Sequence, residues 1–137
     1  NLKSRFLMAK YSIPHMRKAG GGVIISSASV QGLQSMGGVS AYAASKGGDL
    51  SLMRQMSLDF AADNIRVVSV NPGAIDTPMV RNAIAGTGGN LEDELISTGK
   101  AHPLGRIGQT EDIANMVLFL ASDRAFAKAR KDGEGGP

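Results

Sequence analysis

Residues 23–46 read VIISSASVQGLQSMGGVSAYAASK, and the reading of this stretch decides the fold. Val23–Ser27 is a short, β-branched run without alternation, which suits a strand buried on both faces of a parallel sheet. A Gly-rich loop leaves it and delivers Tyr42 and Lys46 at the start of a helix. Residues at i and i+4 share a helix face, so the ammonium can sit beside the phenol. A phenol titrates near pH ~10, and a fixed neighbouring cation favours its anion. A tyrosine so placed can trade a proton with an alcohol or a carbonyl near neutral pH. Ser29, on the intervening loop, is placed to hold the same oxygen. With a hydride carrier at hand, this is a site for oxidising alcohols or reducing ketones. Taken alone, Tyr-x-x-x-Lys also describes a surface pair that stabilises a helix by about 0.2–0.5 kcal/mol, so the flanking chain has to decide.

Upstream, Leu2, Phe6, Ala9, Ile13 and Met16 fall at helical spacing and predict an amphipathic helix over 2–18. Pro14 removes a backbone donor, so a bend or early end is expected near it. Ala19–Gly22 stops the helix. Downstream, a helix is expected over 41–62, with Leu50, Met53, Ser57 and Ala61 continuing the Tyr42–Lys46 line and Leu52, Met56 and Phe60 forming a second. Two stripes imply packing on the sheet and on something else, such as a partner subunit. Gly47 and Gly48 weaken helix propensity and permit close backbone approach. Residues 64–70 form the second strand, ending in the tight turn of Pro72 and Gly73. Ligands in open α/β sheets bind outside the carboxyl ends of strands, where the 28–40 and 71–78 loops both start. Residues 79–100 read as short helical pieces around 87–89, a candidate lid. His102 reads as a loop residue with a local hydrogen bond. Thr110 is the expected N-cap of a helix whose stripe is Ile113, Met116, Val117, Leu120 and Ala121.

Composition narrows the function classes. A chain of 137 residues holds one domain at most. With no cysteine there is no disulfide, thiol nucleophile or thiolate metal site, and His15 and His102 are too far apart in sequence to suggest a histidine site. No apolar run approaches the ~20 residues of a membrane span and no signal pattern opens the chain, so no membrane role and a cytoplasmic location are expected. The net charge is +3. Lys3, Arg5, Lys10, Arg17 and Lys18 are spaced along a helix without an aromatic stacking platform, which favours solvated positions over a nucleic-acid surface. The end of the chain, 127–137, reads as an irregular tail.

Together these residues resemble the short-chain dehydrogenase/reductase family. Ser29 with Tyr42-x-x-x-Lys46 is similar to its catalytic motif, and Asn71-Pro72-Gly73 with Ile75 and Thr77 to its turn after the next strand. His102-Pro-Leu-Gly-Arg, Glu111-Asp-Ile-Ala and Phe119-Leu-Ala-Ser-Asp resemble its C-terminal region, as in 3-oxoacyl-carrier-protein reductases and sugar or cyclic-alcohol dehydrogenases. The resemblance spans 1–126 and implies an α/β fold: the C-terminal, catalytic part of a Rossmann-like, doubly wound parallel sheet with flanking helices. It implies NAD or NADP as cofactor and a small alcohol or ketone as substrate. Tyr42 is then the acid/base, and Lys46 favours its ionisation and binds the nicotinamide ribose. Ser29 polarises the substrate oxygen, so that no metal is required. Pro72, Gly73, Ile75 and Thr77 hold the nicotinamide end, and Asn1 supports a proton relay to Lys46. A homotetramer or homodimer through helices 2–18 and 41–62 is also implied.

Two departures accompany the resemblance. No Gly-x-x-x-Gly-x-Gly joins a strand to a helix here, although such a helix N-terminus is what receives the cofactor phosphates. The family's last strand also has no counterpart in 128–137. The expectation is a partial sequence whose parent is the oxidoreductase; the alternative is a non-catalytic piece serving as an oligomerising or structural module.

Overall fold

The computed structural model describes residues 1–86 and 88–125. Helix α1 (Leu2–Lys18) forms on the expected span and turns Ala9 and Ile13 inward. Pro14 neither ends it nor shortens it. Pro14 and Lys10, whose carbonyl loses its partner, both lie on the exposed side, while Ile13 and Met16 pack into the core and carry the helix to Lys18. Gly20 and Gly21 then take φ of 85° and 138°, and the Gly21 N–H returns to the Met16 carbonyl at 3.0 Å. Side chains rarely tolerate such backbone.

Strand β1 (Gly22–Ser27) pairs in parallel with β2 (Ile65–Val70) in the register Gly22↔Ile65 through Ser27↔Val70. Asn64 lies outside β2, at φ 58°. It stitches the start of the sheet: its carbonyl accepts Gly22 N–H at 3.1 Å and its Nδ2 donates to the Gly20 carbonyl at 2.9 Å. At the opposite end the ladder runs on into the loops, with Ala28 N–H donating to Val70 O at 2.9 Å and Val30 N–H to Pro72 O at 3.1 Å. Burial of β1 on both faces is not what is found: Val23, Ile24 and Ile25 are half-buried and Ser26 alone is buried. Its one strand neighbour among the described residues is β2.

Helix α2 (Ser40–Asp59) ends earlier than the 41–62 expectation, because the chain tightens at Phe60 into a 3₁₀ turn at Ala61–Asp63. Ala61 is therefore exposed and off the helix line, while Leu50, Met53 and Met56 are buried. Gly48 makes room for a side chain and not for backbone: a Cβ there would lie 2.7 Å from Leu2 Cδ2, while one at Gly47 would meet the Gly32 carbonyl oxygen at an ordinary 3.6 Å. Ala9, Ile13, Met53, Met56, Ile65 and Val67 make one core, each larger side chain contributing about 1.5–3 kcal/mol.

Strand alternation places the third layer. Ile65 and Val67 face α1 and α2, so Arg66 points to the other face. There its guanidinium donates to Ser122 O and Ala125 O, both at 3.2 Å, beyond helix α5 (Thr110–Ala121). Helices on both faces make this a Rossmann-like α/β/α arrangement. Between β2 and α5 run α3 (Pro78–Ala85) and α4 (Leu91–Lys100), the short pieces expected around 87–89. On α5, Ile113, Val117 and Leu120 are half-buried, whereas Met116 and Ala121, assigned to the stripe, are exposed. Gln109, not Thr110, is the N-cap: its backbone is extended and its N–H donates to the Asp112 carboxylate at 2.8 Å, while the Thr110 hydroxyl donates to Glu111 Oε2 at 3.0 Å. No helix among the described residues is long and apolar enough to cross a membrane. The tail expected at 127–137 lies outside the described residues.

Ile65 is 2% exposed at the centre of the core and Leu104 is 82% exposed. Ile65→Ala is expected to lower unfolding stability in urea by about 2–5 kcal/mol, and Leu104→Ala to leave it within about 0.5 kcal/mol. Equal losses in the two variants would contradict this placement of the core.

Candidate active site

The carboxyl ends of β1 and β2 deliver two loops side by side. Ser29 follows β1, is 7% exposed, and its Oγ accepts the Gln31 N–H at 3.2 Å. That bond caps a 3₁₀ turn at Val30–Gly32. The turn lies tightly on α2: a Cβ at Gly32 would meet the Lys46 carbonyl oxygen at 2.8 Å. Only glycine lets the Ser29 loop come this near to the helix that carries Tyr42 and Lys46.

Lys46 is 8% exposed. Its ammonium donates to the Ser27 carbonyl at 2.8 Å and lies 5.5 Å from the centre of the Tyr42 ring. Tyr42, in the first turn of α2, is half-buried. The expected juxtaposition of phenol and ammonium is thus present, at the end of the strand that leads to Ser29. No hydrogen bond links Ser29 to Tyr42 among the described residues. Asn1 reaches α2 through Ser45, its Nδ2 donating to Ser45 Oγ at 3.3 Å, and Ser45 Oγ donates in turn to the Tyr42 carbonyl at 2.7 Å.

On the second loop, Pro72 is tied to the Ser29 loop by its carbonyl, which accepts the Val30 N–H. Ile75 forms a parallel bridge with Gly108: Asp76 N–H donates to Gly108 O at 2.8 Å and Gly108 N–H to Ala74 O at 3.0 Å. In such a bridge the N–H and C=O of Ile75 itself point away from Gly108. The Thr77 hydroxyl accepts the Val80 N–H at 3.4 Å and caps α3.

His102 does more than a local bond. Its Nδ1 lies 2.8 Å from Thr98 O, and its Nε2 accepts the Ala74 N–H at 3.2 Å. The proton therefore sits on Nδ1, and the ring couples α4 to the 71–77 loop. Sequence reading found the first contact and missed the second. It also missed Asp49, 1% exposed, which accepts Ser26 Oγ at 2.8 Å and Arg5 Nε at 3.2 Å. The only signal for it was an acid one helical turn after Lys46.

A cleft of about 320 Å³ lies between α3, α4 and the 105–109 turn, walled by Asp76, Arg81, Leu95, Ile96 and Arg106 among others. None of Ser29, Tyr42 and Lys46 lines it. Hydrogen bonds from Arg81, both 2.6 Å, hold the Asp76 carboxyl below its usual range. No group of three or more His, Cys, Asp or Glu side chains placed to hold a metal ion occurs among the described residues.

The described residues fit a nicotinamide riboside. The buried Lys46 ammonium keeps two N–H groups without a protein acceptor among the described residues, as paired ribose hydroxyls require. The outward N–H and C=O of Ile75 suit a carboxamide.

In open α/β sheets ligands bind outside the carboxyl ends of the strands, where these two loops meet, and comparison with known proteins gives the family. The family model described as enoyl-(acyl carrier protein) reductase matches residues 1–127. Cyclohexanol dehydrogenase of Acinetobacter sp. (strain SE19) is 38% identical over 125 residues, covering 91% of this chain and 46% of its own. Dehydrogenase/reductase SDR family member 4 of Caenorhabditis elegans is 37% identical over 123 residues, covering 90% of this chain and 46% of its own. The crystal structure of L-sorbose reductase from Gluconobacter frateurii, complexed with NADPH and L-sorbose, superposes with a TM-score of 0.77 at 33% identity. It covers 85% of this chain and 46% of the reductase. The chain belongs to the short-chain dehydrogenase/reductase family. It spans about half the length of the curated relatives it matches.

Beside the site, Arg106 hydrogen-bonds Asp112 at 2.7 and 3.0 Å. Together with the Gln109 N–H at 2.8 Å it holds the Asp112 carboxyl down to about 2. A depressed folded-state value stabilises fully above the unfolded value of ~3.9, and that stabilisation is lost as pH falls toward 2. Arg106→Gln is expected to move the Asp112 midpoint, followed by carboxyl-carbon NMR, up toward ~3.9; an unmoved midpoint would remove Arg106 as the cause.

Proposed function

We propose that the protein to which these residues belong is an NAD(P)-dependent oxidoreductase that interconverts a secondary alcohol and a ketone. The observation that carries this reading is the Lys46 ammonium, buried and tethered to Ser27 O beside the Tyr42 ring. In these roles Tyr42 gives its phenolic proton to a carbonyl oxygen during reduction, or takes a proton from an alcohol during oxidation. Lys46 supplies the fixed positive charge beside the phenol and binds ribose hydroxyls with its two remaining N–H groups. Ser29 Oγ–H donates to the same substrate oxygen while its lone pair keeps the Gln31 N–H. The two donors together polarise the carbonyl without a metal. A nicotinamide, when bound there, would supply or accept the hydride.

Pro72 and Gly73 shape the turn that exposes the backbone of Ile75 to the carboxamide. Thr77 is engaged in capping α3, so its part in holding the cofactor is through that cap. Asn1 acts through Ser45 on the first turn of α2 and supports the proton relay to Lys46. Cyclohexanol dehydrogenase and L-sorbose reductase are named for alcohol and keto substrates, which supports a small alcohol or ketone here.

Fluorescence titration with NADH and NADPH, beside Tyr42→Phe, tests the reading. Saturable binding retained in Tyr42→Phe, with turnover reduced about 10²–10⁴-fold, is expected for loss of a general acid–base group. Unchanged turnover in Tyr42→Phe would reject Tyr42 as that group. We further assign α1 and α2 to subunit contacts, because Phe6, Met8 and Tyr11 of α1 and Leu58 of α2 lie 51–77% exposed. Light scattering is expected to show a dimer or tetramer, and a compact monomer at working concentration would refute that assignment.

A further inference from the structure

Behind the Tyr42–Lys46 pair sits a buried carboxylate with no part in the chemistry above. Asp49 lies on α2 one turn beyond Lys46 and is 1% exposed. Both its oxygens accept Ser26 Oγ, at 3.0 and 2.8 Å, and Oδ2 also accepts Arg5 Nε at 3.2 Å. The other arm of the Arg5 fork, Nη2, donates to the Ser27 carbonyl at 3.3 Å. That carbonyl is the one that receives the Lys46 ammonium at 2.8 Å. One backbone oxygen thus takes two cationic donors, and one buried carboxylate is hydrogen-bonded to the second donor and to the neighbouring residue of β1.

Stability alone gives little reason for such an arrangement. Desolvating a carboxylate and a guanidinium costs several kcal/mol, and apolar residues of similar volume are often as stabilising or more so. The geometry has a different product. Arg5 brings α1, Ser26 and Ser27 bring the end of β1, and Asp49 brings α2, all to the acceptor on which Lys46 rests. Arginine suits this place because its planar fork can address two acceptors at once, which an ammonium cannot do in the same fixed geometry.

We propose that Arg5, Asp49 and Ser26 are positioning residues for Lys46, fixing the Ser27 carbonyl so that the ammonium stays beside Tyr42. As a statement about turnover this rests on the oxidoreductase reading; as a statement about Lys46 it does not. Without the Asp49 charge, Ser26 Oγ loses its strong acceptor and Arg5 is released toward solvent, to which it is already 30% exposed. The Ser27 carbonyl then loses its tie to both helices, and Lys46 loses its fixed anchor.

The test compares the protein with Asp49→Asn and with the apolar double variant Arg5→Met/Asp49→Leu, which removes both charges and keeps a packed site. Three quantities are read: thermal melting, kcat and KM for cofactor and substrate, and the rate at which an amine-acylating reagent labels Lys46, followed by mass spectrometry. The double variant is expected to keep a cooperative melt while kcat falls about tenfold to a hundredfold and substrate KM holds. Lys46 labelling is expected to accelerate about tenfold, reporting the displaced ammonium. If Asp49→Asn fails to fold, the double variant decides. Wild-type kcat and labelling in a folded double variant would overturn the proposal and leave the cluster a purely structural one. Should the wild-type protein show no oxidoreductase turnover, the functional reading falls, and labelling alone decides: faster labelling sustains the positioning role and unchanged labelling overturns it.

Discussion

The parallel pairing of β1 with β2, Ser27 opposite Val70, is the constraint from which the rest of the molecule follows. Parallel strands need a crossover, and here α2 supplies it, bringing its first turns back to the end of β1. The same pairing makes both loops leave the sheet at one end. Ser29 and Pro72 become neighbours through a continued ladder rather than through any attraction of their own. A different register would separate the two loops and leave the helix that bears Tyr42 and Lys46 facing one of them only.

Charge placement follows from that frame. Lys46 is buried because α2 packs on β2 and on the 3₁₀ turn after Ser29, and burial is tolerable because a strand-end carbonyl lies within reach. Strand ends are where unpaired carbonyls occur, so the end of the sheet is a natural seat for a buried ammonium. Asp76–Arg81 and Arg106–Asp112, by contrast, are paired near the surface. They fasten the segments around α3 and α4 without deep desolvation, and isolated pairs of this kind typically contribute little to stability.

Much of this was legible in the amino-acid order where the signal is local. Helix α1 announces itself by apolar spacing and a glycine stop, β1 and β2 by β-branched runs, and Tyr42 with Lys46 by an i, i+4 interval. What escaped is what depends on distant partners. Asp49 finds Ser26 and Arg5 at sequence separations of 23 and 44 residues, and nothing near it in the chain indicates a buried acid. The acceptor for Lys46 is a backbone carbonyl, which has no side-chain signature. Cap choice at α5 turned on a competition: Thr110 bonds Glu111, and Gln109 gains the Asp112 carboxylate. At Pro14 backbone chemistry alone predicts a bend, but the solvent-facing position of the orphaned carbonyl makes its cost small. Burial of β1 is partial although helices lie on both faces of the sheet, because β2 is its one strand neighbour among the described residues.

The stitch at Asn64 has a mechanical consequence. Gly20, Gly22 and Asn64 lock the two strands together at one end, and at the other Ala28 and Val30 extend the pairing to Val70 and Pro72. The strands are therefore pinned at both ends, and splaying either end means breaking a backbone hydrogen bond. The pair works as a strap fastened at both ends, with Ser29 and Pro72 at the second fastening.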